Sequence, residues 1–323
     1  MAKQGFYHLF FIFGLFFLLS SCEDDDNNTS LNSEEWTTYT TTNGLISNEI
    51  HSIAIDSNQV VWFGTEYGVS AFDGITWTPY TMAQGLAYHN VNAIVVDSDN
   101  NKWFGTGDGL SRFDGSNWKT YNTVDGLIDN YINCLSFDNF GNLWIGTPHG
   151  LSKFDGLHFT NIVKQADTTL VNNKVLSIAV DNNNIKWIGT EYGTSFYDDV
   201  HWISYIHQNP LENYILSLAI DVNNNPWFGT LNGVNKCDIN VWTNYNYENG
   251  LSENHVYALT FDKKGYIWMG TLLGLTRFDG INFKVYTRKE GLAENWITAI
   301  ATDKNDDLWI GTASGGVSKL HFK

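Results

Sequence analysis

The chain is poor in cysteine and in proline. Of its 323 residues, 3 are cysteine and 4 are proline, against 29 glycines. Cys134 and Cys237 fall in different repeats, Cys134 where other repeats have Ser or Ala and Cys237 where most have Phe, which indicates that both fill core volume. The chain therefore gives no sign of a scaffold stabilised by disulfides. Many glycines with few prolines are typical of a β fold with many tight turns.

Basic residues are also scarce. The chain carries 18 lysines and arginines against 35 aspartates and glutamates, a formal net charge of −17. A nucleic-acid-binding protein needs a basic face that displaces counterions from phosphates, so this balance excludes that class. An acidic surface also repels anionic lipid headgroups and polyanionic substrates. Neutral or cationic ligands are therefore favoured.

The motifs of several enzyme and metal-binding classes are missing. The chain contains no Gly-x-Ser-x-Gly, His-Glu-x-x-His or Cys-x-x-Cys motif and no phosphate-binding loop. Aspartate-rich stretches begin at Asp97 and Asp303, but both lack the glycine and the glutamate that an EF-hand calcium loop requires. We expect these side chains to cap tight turns between strands. We accordingly predict no metal and no cofactor, and we assign no catalytic residue.

The long apolar run of the chain lies at its amino terminus. Lys3 precedes the run, and Leu9–Leu19 is too short to cross a bilayer comfortably, which is typical of a signal peptide. The run ends in Leu19-Ser20-Ser21-Cys22, which resembles a bacterial lipobox, where the cysteine becomes the acylated first residue. We predict a signal peptide over residues 1–21 and a lipid anchor on Cys22. An ordinary signal peptide with an incidental cysteine is the alternative.

A polar segment, residues 22–35, separates Cys22 from the repeats. It opens with Glu23-Asp24-Asp25-Asp26, and an acidic run in this place resembles the surface-export signal of Bacteroidetes lipoproteins. We therefore expect an outer-membrane lipoprotein displayed on the cell surface, with anchoring at the periplasmic face as the alternative. The same composition would also suit a plain flexible tether.

Seven copies of Trp-x-Gly-Thr follow one another at almost constant spacing. Each unit reads as four short strands: an apolar strand ending in Asp, the Trp-x-Gly-Thr strand, a strand ending in Asp-Gly, and a strand that starts with an aromatic residue. A period of about 40 residues with four strands indicates a propeller blade. We predict an all-β fold, a single seven-bladed β-propeller of four-stranded antiparallel blades over residues 36–323. The tryptophans are Trp62, Trp103, Trp144, Trp187, Trp227, Trp268 and Trp309, separated by 41, 41, 43, 40, 41 and 41 residues.

The two ends of the repeat region complement each other. After Trp309 the chain supplies a third strand, Gly316–Phe322, and no fourth. An unmatched aromatic strand, Trp36-Thr-Thr-Tyr39, precedes the first complete unit. We predict that this N-terminal strand, residues 36–41, completes the last blade and closes the ring, which also protects the strand edges.

The repeated unit resembles the two-component regulator propeller repeat. One copy reads Gly250-Leu251-Ser-Glu-Asn254-His-Val256, then Asp262-Lys-Lys-Gly265-Tyr-Ile-Trp268-Met-Gly-Thr271, then Gly274-Leu275. The resemblance covers residues 36–323 and implies a propeller of the kind that forms the extracytoplasmic sensing part of hybrid histidine kinases. Neither a kinase nor a second hydrophobic segment accompanies the repeats here, so we expect a sensory role to require a separate partner.

One position in the repeat varies in its chemistry from blade to blade. An asparagine recurs just before it, and we expect that asparagine to bond backbone in the turn; His89 takes its place in the second blade. The variable position lies where the chain enters the first, inner strand of each blade. We predict that the seven variable residues surround the mouth of the central channel and bind a ligand; the alternative is that an exposed position varies without constraint. They are Glu49, Asn90, Tyr131, Lys174, Tyr214, His255 and Trp296.

The loops after Gly-Thr share a rim with the variable residues. Together the loops and the segments that enter the inner strands form what we call the upper rim. Aromatic rings beside carboxylates are suited to stacking on sugar faces and bonding sugar hydroxyls. The upper rim is therefore predicted to bind a carbohydrate or another small neutral ligand. The loops add the candidates Glu66, Tyr67, Asp108, His149, Glu191 and Tyr192.

Three functions remain compatible with the sequence. The first is a lipid-anchored, sensor-like propeller that binds a ligand, and the second is a protein-interaction scaffold of the cell envelope. The third is a polysaccharide-active lyase or glycoside hydrolase, which would use facing carboxylates such as Glu49 and Glu191, or His149 beside Glu191. No local motif ties these pairs to chemistry, so we do not predict catalysis. We expect a monomer.

Overall fold

The fold is all-β throughout the residues that the structure describes. A computed structural model describes residues 34–165, 170–238 and 241–323. The predicted signal peptide, Cys22 and most of the predicted tether lie outside the described residues. Within them the chain forms seven four-stranded antiparallel sheets, and no α-helix is present. The predicted seven-bladed propeller is confirmed.

The strands follow the repeat unit, and each blade takes its strands in chain order from the inside outwards. One strand, β1 (Glu34–Tyr39), precedes the first complete blade. Blade 1 contains β2 (Ile50–Ile55), β3 (Val61–Thr65), β4 (Gly68–Phe72) and β5 (Trp77–Tyr80). Blade 2 contains β6 (Val91–Val96), β7 (Lys102–Thr106), β8 (Gly109–Phe113) and β9 (Trp118–Tyr121). Blade 3 contains β10 (Cys134–Phe137), β11 (Leu143–Thr147), β12 (Gly150–Phe154) and β13 (Phe159–Ile162).

The remaining blades repeat this order. Blades 4 and 5 contain β14 (Val175–Val180), β15 (Lys186–Thr190), β16 (Gly193–Tyr197) and β17 (Trp202–Tyr205); β18 (Ser217–Ile220), β19 (Pro226–Thr230), β20 (Gly233–Asp238) and β21 (Val241–Tyr245). Blades 6 and 7 contain β22 (Val256–Phe261), β23 (Ile267–Thr271), β24 (Leu275–Phe278) and β25 (Phe283–Tyr286); β26 (Ile297–Thr302), β27 (Leu308–Thr312) and β28 (Val317–Phe322). Four single 3₁₀ turns lie at the upper rim: Met82–Gln84, Thr123–Asp125, Pro210–Glu212 and Tyr247–Asn249.

The N-terminal strand closes the ring, as predicted. Strand β1 pairs antiparallel with β28, so that the last sheet runs β1-β28-β27-β26. Glu34 adds a link to blade 6, because its Oε1 accepts hydrogen bonds from Lys284 Nζ and Tyr286 Oη, both at 2.7 Å. The inner strands of neighbouring blades contact one another around the whole ring, including β26 with β2.

The repeated tryptophan fills the blade core and bonds an aspartate at the end of the inner strand. In blade 3, Trp144 Nε1 donates to Asp138 Oδ2 at 3.0 Å, and Asp138 Oδ1 accepts from the backbone nitrogens of Phe140 and Asn142. The indole bond recurs in all seven blades at 2.9–3.3 Å. The prediction that these aspartates cap turns is confirmed. Since a buried indole N–H needs an acceptor, the pair explains why Asp and Trp recur together.

The glycine and the threonine of Trp-x-Gly-Thr also have structural roles. A Cβ on Gly146 would lie 2.4 Å from Cys134 Sγ and 2.6 Å from Val175 Cγ1, so only glycine lets the inner strand of the next blade approach. Thr147 Oγ1 donates to the carbonyl oxygen of Gly150 at 2.8 Å and accepts from the backbone nitrogen of His149, which tightens the loop. The motif therefore builds the blade and contributes no exposed chemistry.

Candidate functional site

The recurring asparagine holds the upper-rim turn, as predicted. Asn48 Oδ1 accepts from the backbone nitrogen of Thr41 at 2.8 Å, and Asn130 Oδ1 accepts from that of Thr123 at 2.9 Å. In blade 2 the equivalent residue, His89, makes a different contact. Its Nδ1 lies 2.8 Å from the backbone carbonyl oxygen of Glu66, in the loop of blade 1. The other blades make the asparagine bond at Asn173, Asn213, Asn254 and Asn295.

The residue before His89 departs from the repeat as well. Ser47, Asp129 and Asn172 occupy this position in other blades, and each accepts a hydrogen bond from the backbone nitrogen two residues later. Blade 2 has Tyr88 instead, and its ring lies against the ring of His89 with centroids 4.1 Å apart. Blade 2 has thus replaced two turn-forming side chains by an aromatic pair.

These two residues line a cavity of about 480 Å³ on the upper rim between blades 2 and 3. The volume falls within the range of small-ligand sites, roughly 300–1,000 Å³. Four of the predicted site residues meet here, since Glu66, Asn90, Asp108 and Tyr131 line the same cavity. Tyr67 flanks it, because its exposed ring stacks on His89 with centroids 6.4 Å apart.

The polar groups of the cavity offer mainly acceptors. Glu66 and Asp108 supply carboxylates, and Asp108 Oδ1 accepts from Asn130 Nδ2 at 2.8 Å. Asn90 Oδ1 is buried and has no hydrogen-bond partner in the described part of the chain. The carbonyl oxygen of Glu66 can only accept, so Nδ1 of His89 is the donor of this bond and Nε2 is the ring nitrogen that remains for a ligand. Hydroxyl and amine donors of a ligand therefore match this lining.

Gly107 sets the width of the cavity. A Cβ at this position would lie 3.2 Å from Tyr88 Cδ1 and 3.8 Å from Asn90 Cβ. Its backbone nitrogen donates to the carbonyl oxygen of Asn90 at 2.9 Å. Larger residues occupy the equivalent position elsewhere, such as Pro148 and Leu231. The absence of a side chain thus lets Tyr88 lie close to the loop.

Three other predicted residues form a separate cluster in blades 4 and 5. Lys174 Nζ lies 3.3 Å from Glu191 Oε2 and 5.9 Å from the centre of the Tyr214 ring. Burial disfavours the charge of Lys174, but the Glu191 carboxylate and Tyr214 outweigh it and hold the pKa of Lys174 above its ordinary value. Glu191 is thereby engaged in an ion pair. Tyr192, beside it, is exposed.

The remaining candidates are paired locally and do not share the cavity. Glu49 Oε1 lies 3.1 Å from His51 Nε2, and His255 Nδ1 lies 2.5 Å from Glu253 Oε1. His149 bonds the carboxylate of Asp129. The His149–Glu191 pair that a base mechanism would need is not formed, because each residue has its own partner nearby. Trp296 is half-exposed, with the Tyr257 ring 6.2 Å away.

Sequence reasoning missed Tyr88 and Gly107 as site residues and noted His89 only as an exception. The signal was nevertheless present, because blade 2 breaks the repeat at adjacent positions, with Tyr88 and His89 in place of turn-forming residues. Among the residues described, no three His, Cys, Asp or Glu side chains converge as a metal site. The described residues also contain no helix long and apolar enough to span a bilayer.

Comparison with known proteins places the repeats in a family. The model of the two-component regulator propeller family matches at four places, residues 44–67, 126–149, 250–272 and 291–314. No curated protein sequence matches the chain.

Solved structures with the same fold come from several kinds of protein. The extracellular domain of a protein assigned as a hybrid two-component system of B. thetaiotaomicron superposes with a TM-score of 0.79 at 22% identity, covering 89% of this chain and 42% of that one. Virginiamycin B lyase from Staphylococcus aureus superposes with a TM-score of 0.73 at 14% identity, covering 89% of this chain and 99% of that one. PorZ, a surface component of the type-IX secretion system of Porphyromonas gingivalis, superposes with a TM-score of 0.68 at 17% identity, covering 84% of this chain and 46% of that one.

The chain thus spans less than half the length of the extracellular domain it resembles. At these identities the likeness shows the fold alone, and four family matches identify the repeat that builds it. The chain is a seven-bladed propeller that carries matches to the two-component regulator propeller repeat at four places.

Proposed function

We propose that this chain is a lipid-anchored, extracytoplasmic propeller that binds a small ligand in the upper-rim cavity between blades 2 and 3. The observation that carries the proposal is the local departure of blade 2 from its own repeat. Tyr88 and His89 replace side chains that hold the turn in other blades, and both line the cavity. The two replacements remove two turn hydrogen bonds, each worth about 1 kcal/mol to stability. Such a local loss of stability is expected at a site where the new side chains bind a ligand.

The lining favours a carbohydrate or another small neutral ligand. Tyr88 and Tyr131 present aromatic rings, and sugar rings stack on such faces through their C–H groups. Glu66, Asn90 and Asp108 present acceptors for the hydroxyl groups of a sugar. The two carboxylates also disfavour an anionic ligand, in line with the net charge of −17.

Sensing and surface location are supported by comparison with related folds. One relative is the extracellular domain of a protein assigned as a hybrid two-component system, and another is a bacterial surface component. We propose that the chain is an outer-membrane lipoprotein anchored through Cys22, that it reports ligand binding through a separate protein, and that it acts as a monomer. Radiolabelled palmitate incorporation that depends on Cys22, lost in Cys22→Ala, tests the anchor.

A second candidate function is a protein-interaction scaffold of the cell envelope. The observation in its favour is a set of exposed aliphatic side chains at equivalent hairpin tips between the third and fourth strands. A single exposed aliphatic residue is ordinary on a monomer, so it is the recurrence at equivalent tips of four blades that favours a docking role. These residues are Ile75, Leu157, Val200 and Ile281.

An oligosaccharide screen tests the leading function. The soluble chain from residue 34 onward is screened by thermal shift against a broad oligosaccharide panel, and stabilising compounds are then assayed for turnover. A stabilising ligand without turnover supports the proposal, whereas turnover would support the enzyme alternative. Absence of any stabilising oligosaccharide contradicts the carbohydrate assignment.

A further inference from the structure

A second cavity, of about 610 Å³, lies between blades 2 and 3 on the opposite, lower rim. The lower rim is formed by the turns between the first and second strands and by the hairpins between the third and fourth strands. Aromatic residues line the cavity, including Trp103, Phe137 and Phe154, together with Arg112. None of these residues belongs to the upper-rim site, so this cavity raises a question independent of the proposed function.

The cleft over the tryptophan of the preceding blade is filled by a lysine where blades 2 and 4 meet their preceding blades, but not where blade 3 meets blade 2 and this cavity lies. Lys102 of blade 2 and Lys186 of blade 4 are buried at the first position of the second strand. Lys102 Nζ lies 5.0 Å from the ring centre of Trp62, and Lys186 Nζ lies 5.5 Å from that of Trp144. Blade 3 has Leu143 at this position, and the leucine side chain is too short to fill the space over Trp103 that a lysine would occupy.

Arg112 supplies hydrogen-bond donors inside the cavity. Its guanidinium lies 5.7 Å from the ring centre of Trp103. At the same strand position Lys236 pairs with Asp221 at 3.6 Å, and Lys319 pairs with Asp307 at 2.7 Å. Arg112 makes no such ion pair with the described residues, so its five N–H groups can serve a ligand acceptor.

The two nearest turn carboxylates have no acceptor capacity left. Asp97 takes five hydrogen bonds, from the backbone nitrogens of Asp99 and Asn101, twice from Asn101 Nδ2, and from Trp103 Nε1. Asp138 takes the same five bonds from the equivalent groups of its own turn. Of the charged groups that line the cavity, Arg112 supplies the hydrogen-bond donors, and the exposed Asp99 is the remaining carboxylate.

Phe140 marks the mouth of the cavity. It is 76% exposed, although it is a large apolar side chain. The other six blades have polar residues at this turn position: Asn58, Asp99, Asn183, Asn223, Lys264 and Asn305. An exposed aromatic ring at this single place adds a stacking surface beside the aromatic wall.

We propose that this lower-rim cavity is a second ligand site, which takes a flat aromatic compound carrying an acceptor oxygen. The ring of the compound packs between Phe140 and the wall formed by Trp103, Phe137 and Phe154. Its carboxylate or carbonyl oxygen accepts from the guanidinium of Arg112. The cavity volume suits a small molecule better than a polypeptide segment.

Titration calorimetry with three probes tests this site on the folded chain. The probes are 4-hydroxybenzoate, 4-hydroxybenzamide with the same ring and no charge, and cyclohexanecarboxylate with no aromatic ring. We expect the two aromatic probes to bind, and cyclohexanecarboxylate to bind about twofold to tenfold more weakly because it cannot stack.

The repeat itself provides the variants. Leu143→Lys restores the side chain that fills the neighbouring clefts, and the carbonyl oxygen of Gly141 stands where Asn100 and Asn184 accept from Lys102 and Lys186. Two cations over one indole already occur at Trp144, with Lys153 and Lys186. Phe140→Asn installs the polar residue of the other turns at an exposed position, so this variant should fold even if Leu143→Lys does not.

We expect Leu143→Lys to abolish binding of the aromatic probes. We expect Phe140→Asn to weaken their binding about twofold to tenfold, because one aromatic contact is lost. The upper-rim variant Tyr131→Ala should bind the probes as the wild-type chain does. Failure of all three probes to bind the wild-type chain overturns the proposal. Binding that is unchanged in Phe140→Asn overturns it as well.

Discussion

His89 Nδ1 donates a hydrogen bond to the backbone carbonyl oxygen of Glu66 at 2.8 Å and thereby ties blade 2 to the loop of blade 1. The bond fixes the orientation of the imidazole, since Nδ1 is turned to the loop and Nε2 is left for a ligand. The rings of Tyr67 and Tyr88 both contact the imidazole, with centroids 6.4 and 4.1 Å away, and help to hold it in place. The upper-rim cavity is thus a preorganised feature of one blade junction.

Replacing His89 by asparagine should separate stability from binding. His89→Asn restores the residue that, in blades 1, 3, 6 and 7, accepts from the backbone nitrogen seven residues earlier. In blade 2 that nitrogen belongs to Met82. We expect the free energy of unfolding to stay equal or to rise by about 0.5–1 kcal/mol, because one turn hydrogen bond is gained. Affinity for the oligosaccharide should fall about tenfold. Urea unfolding and titration calorimetry measure the two effects, and a large loss of stability would contradict this account.

Adding a methyl group at Gly107 should narrow the cavity without harming the fold. The backbone tolerates alanine, because Ala313 occupies the equivalent place in blade 7. The new Cβ would lie 3.2 Å from Tyr88 Cδ1 and push the ring towards the ligand space. We expect Gly107→Ala to weaken binding about tenfold, equivalent to about 1.4 kcal/mol, with a change in unfolding free energy below about 1 kcal/mol. Unchanged affinity would show that Tyr88 does not border the ligand.

The aspartate–tryptophan pairs should make the fold sensitive to acid. Burial by itself raises the pKa of Asp97 and Asp138, but hydrogen bonds from the indole, from asparagine and from backbone nitrogens prevail and lower both pKa values. A lowered folded-state pKa means stability that is fully present above the unfolded-state pKa of about 3.9 and is lost as pH falls below it. Urea unfolding at pH 7 and at pH 3.5 should show this loss.

A substitution in blade 3 checks the origin of that loss. Asp138→Asn keeps the size of the side chain but removes the charge that five donors surround. We expect a loss of about 1–3 kcal/mol in unfolding free energy at pH 7 and a weaker dependence on pH between 7 and 3.5. Asp238→Asn, at an exposed position, is the control and should stay within about 0.5 kcal/mol of the wild-type chain. Equal effects of the two variants would contradict the assigned role.

Removal of the N-terminal strand should open the ring. A chain that begins at Glu34 keeps β1, whereas one that begins at Thr42 leaves the outer edge of β28 unpaired and Trp36 missing from the last blade. With backbone bonds worth about 1 kcal/mol each, several kcal/mol of unfolding free energy should be lost. Glu34→Gln, the milder control, removes the charge that faces Lys284 but keeps an amide oxygen that can accept from Tyr286 Oη, and it should cost about 1 kcal/mol or less. A stable, monomeric chain beginning at Thr42 would contradict closure by β1.

The sequence was sufficient for the fold because the repeat states the same structure seven times. The Trp-x-Gly-Thr spacing, the Asp-Gly hairpins and the unmatched strand at Trp36 each agree with the structure. Strand β1 begins at Glu34, two residues before the predicted start, since Glu34 and Glu35 pair with Phe322 and His321. Polar residues in an edge strand carry no apolar periodicity from which that extension could be read.

The site was less accessible to sequence reasoning, because position in a repeat does not show which side chains converge. Asn90 and Tyr131 share a cavity, whereas Lys174 and Trp296, at the same repeat position, are engaged in local contacts. Glu191 is a candidate catalytic carboxylate by its repeat position, but in the structure it forms an ion pair with Lys174. The sequence does contain one usable signal, because Tyr88 and His89 both differ from the residues that other blades have at these two positions. That signal comes from comparing repeat positions and not from the residue types themselves.

The most direct test compares two equally exposed aromatic residues at the same repeat position. Tyr131 and Trp296 occupy the same repeat position and are both 42% exposed, but only Tyr131 lines the cavity. Titration calorimetry with the most stabilising oligosaccharide should show binding lost or weakened at least about tenfold in Tyr131→Ala and unchanged in Trp296→Ala. Affinity that survives Tyr131→Ala, or that is lost equally in Trp296→Ala, would contradict a ligand site between blades 2 and 3.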